Sequence, residues 1–369
     1  MLKLDALDTV YFGTGKPFNK EGDNWTDSMF PPAPSVLYGA LRTAYFADNI
    51  SLFNKANTAE DPTLNLRLKG IFLISDTKPG TIYFPMPLDL VTLVGAEDQV
   101  FLLSLQENYF VSNCPTSMVL MLKENQLVET VEGGVIDHLS MADYLSGGKG
   151  GFPYHMLTEF ITREMKVGIG IDDDKGTAQD TMLYRIGMIR PEIAERRGKG
   201  IRNRKLSLLV DYEGLQFPAR GLIKAGGEGK AAEFEPCDEK MIALMRQMPI
   251  QWPAHGTKFK VYLATPAKFE KGWLPGWLDE TTLEGTYQGI RLKLLTAAIG
   301  KPLPIGGYDM EARRPKPMMR AVPAGSVYYF EILDGTDLTE AIRKFHYENI
   351  SDVDAGQGFG LAFAGGVQE

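Results

Sequence analysis

The 369 residues include only two cysteines and four histidines, and each scarcity removes a class of chemistry. Cys114 and Cys237 lie far apart with no Cys-x-x-Cys spacing, so neither a disulfide framework nor a thiolate zinc site is indicated. His138, His155, His255 and His346 fall on separate segments, none at metal-ligand spacing and none inside a nucleophile motif. Long apolar runs are also missing. Stretches such as 100–105 and 118–122 fall far short of the about 18 consecutive apolar residues of a membrane helix, so no membrane partner is expected. The opening Met1-Leu2-Lys3-Leu4-Asp5 lacks the basic and apolar regions of a secretory leader, and a reduced cytoplasmic setting is the expectation. An excess of positive charge is absent too. A net charge of −8 excludes a protein that coats nucleic acid with its whole surface, but not one with a local basic groove. What remains, 44% hydrophobic and 23% charged residues, is an ordinary globular composition in a chain long enough for two domains.

The basic residues are unevenly placed. Arg196, Arg197, Lys199, Arg202, Arg204 and Lys205 put six cations into ten positions with no acid among them. A solvated loop accounts for such a run, and so does a nucleic-acid face. A second feature is the stretch 30–44. Pro31, Pro32 and Pro34 stiffen the approach, and Pro34 is expected to stay outside the helix that follows. Ser35 reads as the N-cap, and pairs of apolar residues recurring every four positions from Val36 bury one face. Ser35, Tyr38 and Arg42 fall on another side, with Gly39 between them. Glycine costs about 1 kcal/mol against alanine in mid-helix, so a close approach is expected there. The stretch is either an ordinary first helix with a surface arginine or an anion-binding helix start.

In chain order, 2–12 reads as a strand, and 68–75 and 81–85 as two more around a Lys78-Pro79-Gly80 turn. That gives strand, helix, strand, strand, the first part of a ferredoxin-like unit. Residues 111–123 fit helix or strand equally. Met165, Val167, Ile169 and Ile171 alternate with Lys166, Gly168 and Gly170, which predicts a strand. It runs to Asp172-Asp173-Asp174, and 181–190 returns as the second arm of a hairpin displaying Lys166, Arg185 and Arg190 among glycines. Residues 206–212 form another predicted strand. In the second half, 219–224, 259–264, 291–298 and 326–333 read as strands, and 238–247 and 337–346 as helices.

The segment from Gly226 to Lys230 fails as a P-loop: Lys224 stands where glycine is needed and Ala231 where Ser or Thr is needed. A turn whose amides face a phosphate remains open beside a purely structural turn. The aspartate triplet lacks calcium-loop spacing and reads as a solvated tip. No cofactor is implied. Phe269, Trp273 and Trp277 are a core plug, a protein interface or a stacking platform.

Several motifs together resemble a known family. They are Asp8-Thr9-Val10-Tyr11-Phe12-Gly13 with Lys16-Pro17-Phe18, then Pro34-Ser35-Val36-Leu37-Tyr38-Gly39-Ala40-Leu41-Arg42. Further on come Gly168-Ile169 with Leu183-Tyr184, Gly226-Gly227-Glu228-Gly229, Tyr262-Leu263-Ala264-Thr265-Pro266, Gly272-Trp273-Leu274-Pro275, Lys316-Pro317, the run from Val322 to Phe330, and Gly358-Phe359-Gly360. Their number and order resemble the third-subunit family of the Cmr complex, RAMP-superfamily proteins of type III-B CRISPR effectors. The resemblance implies an α+β fold of two ferredoxin-like (RRM-like) RAMP domains with a thumb-like β-hairpin. The first domain would span 1–210, with an insertion at 86–160 and the hairpin at 163–190, and the second 211–369. It implies a non-catalytic subunit that binds the 5′ tag of the crRNA and contacts the backbone RAMP subunits and the large polymerase-like subunit. It also implies RNA-facing roles for Ser35, Tyr38, Gly39 and Arg42, for Lys166, Arg185 and Arg190, and for Gly226, Gly227, Gly229, Lys230, Gly358 and Gly360. The basic run, with Arg196, Arg197, Arg202 and Arg204, adds to that face. Two alternatives stay open: a RAMP-type endoribonuclease acting on CRISPR precursor RNA, for which no convincing acid–base cluster is visible, and a purely structural subunit.

Overall fold

The computed structural model describes residues 1–13, 25–76, 80–110, 114–122, 126–171, 175–197, 200–246, 248, 250–253, 255–309 and 314–367. Lys16-Pro17-Phe18 and the aspartate triplet 172–174 lie outside the described residues. About 15% of the chain is helix and 45% strand, so sheets dominate a mixed α/β fold.

Two antiparallel sheets carry the molecule. The path of the first runs Tyr154–Met156, Gly134–Asp137, Ile82–Pro85, Arg67–Ser75, Gly200–Glu213, Leu2–Ala6, Ala231–Pro236 and Gly221–Lys224. The second runs Glu284–Tyr287, Ile290–Ala298, Val327–Ile332, Lys258–Leu263, Leu361–Gly366 and Glu348–Asn349. Both share one core order. With Leu2–Ala6, Arg67–Ser75, Gly200–Glu213 and Ala231–Pro236 taken as first to fourth, the first sheet reads second–third–first–fourth. Lys258–Leu263, Ile290–Ala298, Val327–Ile332 and Leu361–Gly366 give the same order in the second. The helices divide between the two units. The helix α1 (Pro34–Asp48) crosses from first to second strand in one, and the helix Leu338–Phe345 from third to fourth in the other.

This arrangement revises two expectations. The third core strand of the first sheet is Gly200–Glu213 rather than the strand at 82–85, which instead extends the edge. Residues 76–199 are therefore an excursion between second and third strands. The boundary expected at 210 falls inside Gly200–Glu213, and the first sheet closes only with Ala231–Pro236.

Alternation within the strands sorts side chains into layers. Leu206, Leu208 and Val210 join Leu37, Ala40, Leu41 and Ala44 of α1 in one core, while Leu209 points the other way. Phe259, Val261 and Leu263 pack under the helix Leu338–Phe345, and Tyr262 points the other way. Between the sheets Phe72, Phe84, Leu209, Tyr262, Tyr329 and Phe363 meet around a helix inside the excursion, His138–Leu145. The order is helix, sheet, sheet, helix. Phe269, Trp273 and Trp277 settle as a core plug beneath the second sheet, with Trp277 packed near Tyr287 and Phe345. No helix among the described residues is long and apolar enough to cross a membrane.

Candidate nucleic-acid interface

Helix α1 starts two residues earlier than its sequence suggests. Pro34 occupies its first turn, Ala33 is the N-cap, and no side chain caps it. Proline suits that position because the first-turn amides have no intrahelical partner and its φ is already helical. Ser35 is thus the second helical residue rather than the cap, and Tyr38 is half-buried against the core. Gly39 is exposed, and a methyl group built on it would meet nothing within 4 Å. The close approach expected at Gly39 does not come from the described part of this chain. Arg42 turns toward 57–63: its Nε donates to Thr63 Oγ1 at 2.8 Å and its Nη2 to Asp61 Oδ2 at 2.6 Å and Asn57 Oδ1 at 3.0 Å. Burial pushes the Asp61 carboxyl up, but hydrogen bonds from Thr63 and Asn57 and the Arg42 charge outweigh it and hold the group below the usual carboxylate range. Arg42 is a brace for that loop.

The hairpin predicted around 163–190 is formed by Thr162–Ile171 and Ala178–Arg190. Its register separates the three basic residues grouped by sequence. Lys166 pairs with Ile186 on one face, while Val167 pairs with Arg185 on the other. The Lys166 face looks toward the Gly226–Lys230 turn, where Lys166 Nζ meets Glu228 Oε2 at 2.8 Å. On this face the far end of the Tyr184 ring lies 2.2 Å from the position a Cβ on Gly168 would take, so any larger residue there would push that ring aside.

The turn itself is held by backbone. The Gly227 amide donates to the Tyr11 carbonyl at 2.9 Å, and the Ala225 amide to the Lys230 carbonyl at 2.8 Å. Gly226 has φ +77° and would drive a Cβ to 2.1 Å from the Tyr11 oxygen, so the residue is obligatory. Gly229 also has positive φ, but in open space. Lys230 Nζ bonds Asp8 Oδ2 at 2.8 Å, and Arg190 Nη2 reaches Asp8 Oδ1 at 3.0 Å while its guanidinium forks onto Glu164. The Lys230 hydrogen bond, helped by the Thr9 amide and by Arg190, holds the Asp8 carboxyl down to about 2. Sequence reasoning singled out the cations of this junction and missed their partners Asp8, Glu164 and Glu228. Asp8 lies within one of the recognised motifs, but its pairing spans residue separations of 182 and 222 that no local pattern reports.

The opposite face of the hairpin carries Met165, Val167, Ile169 and Ile171 with Leu183 and Arg185. The first four are between 49 and 59% exposed, although their alternation alone suggests a buried face. Trp25, half exposed, pairs in register beside Arg185 from the short strand Trp25–Asp27. Arg185 makes no ion pair among the described residues.

The basic run is not a loop. Glu192–Arg197 and Gly200–Glu213 form an antiparallel arm in which Arg196 pairs with Ile201, Arg197 with Gly200 and Arg202 with Glu195. The side chains of Arg196, Arg197 and Arg202 lie outside the described set, while Arg204 sits over the Phe160 ring at 5.7 Å. Gly358 and Gly360 are buried. Their amides donate to the Ala355 and Pro266 carbonyls, and side chains there would strike Leu68 and Ser351, so in this chain both glycines serve close packing rather than an open loop.

This arrangement of glycine turn, hairpin and first helix accompanies a match of residues 2–367 to the family of CRISPR-associated proteins described as Cas_Cmr3. The chain belongs to the Cmr3 family. No curated protein matches the sequence. Similar solved chains include one in the cryo-EM structure of the Type III-B Cmr-beta bound to cognate target RNA, at 16% identity and TM-score 0.47, covering 89% of this chain and 86% of that one. Another, in the same assembly bound to target RNA and AMPPnP, has 15% identity and TM-score 0.46, covering 89% and 85%. Within the Cmr3 family match fall all the motifs named above.

Proposed function

We propose that this protein is a non-catalytic subunit of a type III-B CRISPR effector, holding the 5′ repeat-derived tag of the crRNA and joining the backbone filament to the large polymerase-like subunit. In this reading the two sheets of common strand order are two ferredoxin-like RAMP units, and Thr162–Arg190 is the thumb.

The observation that carries the reading is the exposed apolar face of the hairpin with Arg185 and Trp25 on it. Apolar and aromatic side chains offer flat, sequence-tolerant contact to bases, and an arginine with no ion pair among the described residues adds a phosphate fork or a stacking plane. The opposite face supports the same reading differently. Asp8, Glu164 and Glu228 hold Lys230, Arg190 and Lys166 in place, and exposed ion pairs of this kind are worth only about 0–1 kcal/mol, so a phosphate displaces the carboxylates at little cost.

Binding of tag RNA across a salt series tests this. Arg185→Ala is expected to reduce the slope of log K against log salt by about 0.7 for a single-stranded contact, and Ile169→Asp to weaken binding at every salt concentration. An unchanged slope and unchanged affinity in both variants would remove the hairpin from the RNA interface. Metal-independent cleavage of a repeat RNA by the purified protein would instead favour the endoribonuclease reading.

A further inference from the structure

A second site lies apart from the hairpin, where the layer between the two sheets opens to the surface. A cavity of about 850 Å³ is lined there by Leu102, Leu105 and Met118 on its apolar side and by Lys149, Lys258 and Lys260 on its charged side. Its size is within the range of small-molecule sites, about 300–1,000 Å³. No carboxylate side chain joins the three lysines among the described lining residues.

Lys260 is the unusual member. It stands in the middle of the central strand Lys258–Leu263, opposite Tyr329 on one side and Gly365 on the other, and is only 2% exposed. Its ammonium lies 3.4 Å from the Tyr144 ring centroid and has no hydrogen-bond acceptor or ion-pair partner among the described residues. The nearby buried acid, Asp89, pulls on the ammonium by charge but accepts no hydrogen bond from it: Tyr144 and Tyr329 both donate to its Oδ2 at 2.7 Å, and its Oδ1 has no hydrogen-bond partner among the described residues. Burying an ammonium without an acceptor is costly, and a cavity-lining position converts that cost into affinity for a group that supplies one.

We propose that this cavity binds a small organic anion, with a carboxylate or phosphate group accepting from Lys260 and an apolar body against Leu102, Leu105 and Met118. Lys149 and Lys258 add long-range attraction from the walls. The assignment is independent of the RNA reading.

The groups facing Lys260 define its pH dependence. Burial lowers the ammonium to about 8, against the pull of Asp89 and Asp143. Tyr144, Tyr262 and Tyr329 face it from helix and strands, and burial pushes each phenol well above its ordinary value, so they stay neutral in this range. Anion affinity is therefore expected to fall as pH rises through about 8.

Calorimetric titration of the full chain with phenyl phosphate and with benzoate tests the site, with inorganic phosphate and uncharged benzyl alcohol as controls. At least one aromatic anion should bind, benzyl alcohol should not, and which anion binds distinguishes phosphate from carboxylate. Lys260→Met should weaken binding at least tenfold, and Leu105→Glu, which sets a carboxylate against the anion with Lys260 intact, should do the same should the first variant fail to fold. The proposal is overturned if neither aromatic anion binds at millimolar concentration, or if binding survives in a folded variant.

Discussion

Three residues carry separable consequences. Arg42 attracts notice in the sequence as a phosphate ligand, but its guanidinium is committed to Thr63, Asp61 and Asn57. Removing it takes the counter-charge from Asp61, whose side chain is 1% exposed, and leaves that carboxylate the hydrogen bonds from Thr63 and Asn57. Arg42→Ala is expected to cost about 1–3 kcal/mol in denaturant unfolding, the penalty for taking a charged hydrogen-bond partner from a buried carboxylate, while leaving the salt slope of RNA binding unchanged. Lys260 behaves oppositely. Its displacement from 10.5 to about 8 corresponds to a burial cost on the order of 3 kcal/mol below pH 8 that is relieved as pH rises toward 10.5. Lys260→Met should therefore be more stable than the natural protein at pH 7, and the gap should close by about pH 10. His346, packed between Trp252 and Phe363, is lowered to about 4 by burial. Between pH 6.5 and 4 the unfolded chain takes up a proton that the folded one does not, so stability is full above about 6.5 and declines as pH falls toward 4. Replacing His346 with leucine should flatten that limb of a pH-dependent melt. An identical acid limb in the variant would assign the loss to other groups.

Among elements, those with strong local periodicity were legible and those defined by pairing were not. The alternation from Met165 to Ile171 and the four-residue spacing in α1 both returned as a strand and a helix close to the expected limits. Burial was another matter. Period-two alternation says which side chains share a face, but not whether anything covers it, and the apolar residues of the hairpin are about half exposed. The basic run was legible as charge and not as structure, because its strand partner Glu192–Arg197 is built mainly from glutamate and arginine and shows no β signature. The start of α1 turned on one proline that fits the first turn better than it fits a linker. At Gly39 the absence of any contact among the described residues makes a sharp test. Gly39→Ala should stabilise the isolated protein by about 1 kcal/mol, read as a raised thermal midpoint. If the same variant assembles poorly with RNA or partner subunits, the close approach comes from outside the chain.

At the scale of the whole molecule, the sequence suggested a first unit complete by residue 210, and the structure closes it at Pro236. The cause is topological: the third strand lies beyond the excursion 76–199, and a long insertion between neighbouring strands leaves no mark that separates it from the start of a new unit. The strand order shared by both sheets gives the molecule two similar halves joined through the Phe72, Tyr262, Tyr329 and Phe363 layer. The hairpin belongs to the first half, and Met165, Val167, Ile169 and Ile171 on its apolar face are about half exposed. An acidic protein whose exposed apolar blade carries Arg185 is suited to meet RNA at one place and protein elsewhere. The most direct test is photocrosslinking in the assembled effector, using crRNA with a photoreactive base at each position of the 5′ tag in turn. The account predicts crosslinked peptides from this chain within 162–190, abolished by Ile169→Asp. Efficient crosslinking of every tag position to other subunits, with none to this chain, would contradict it.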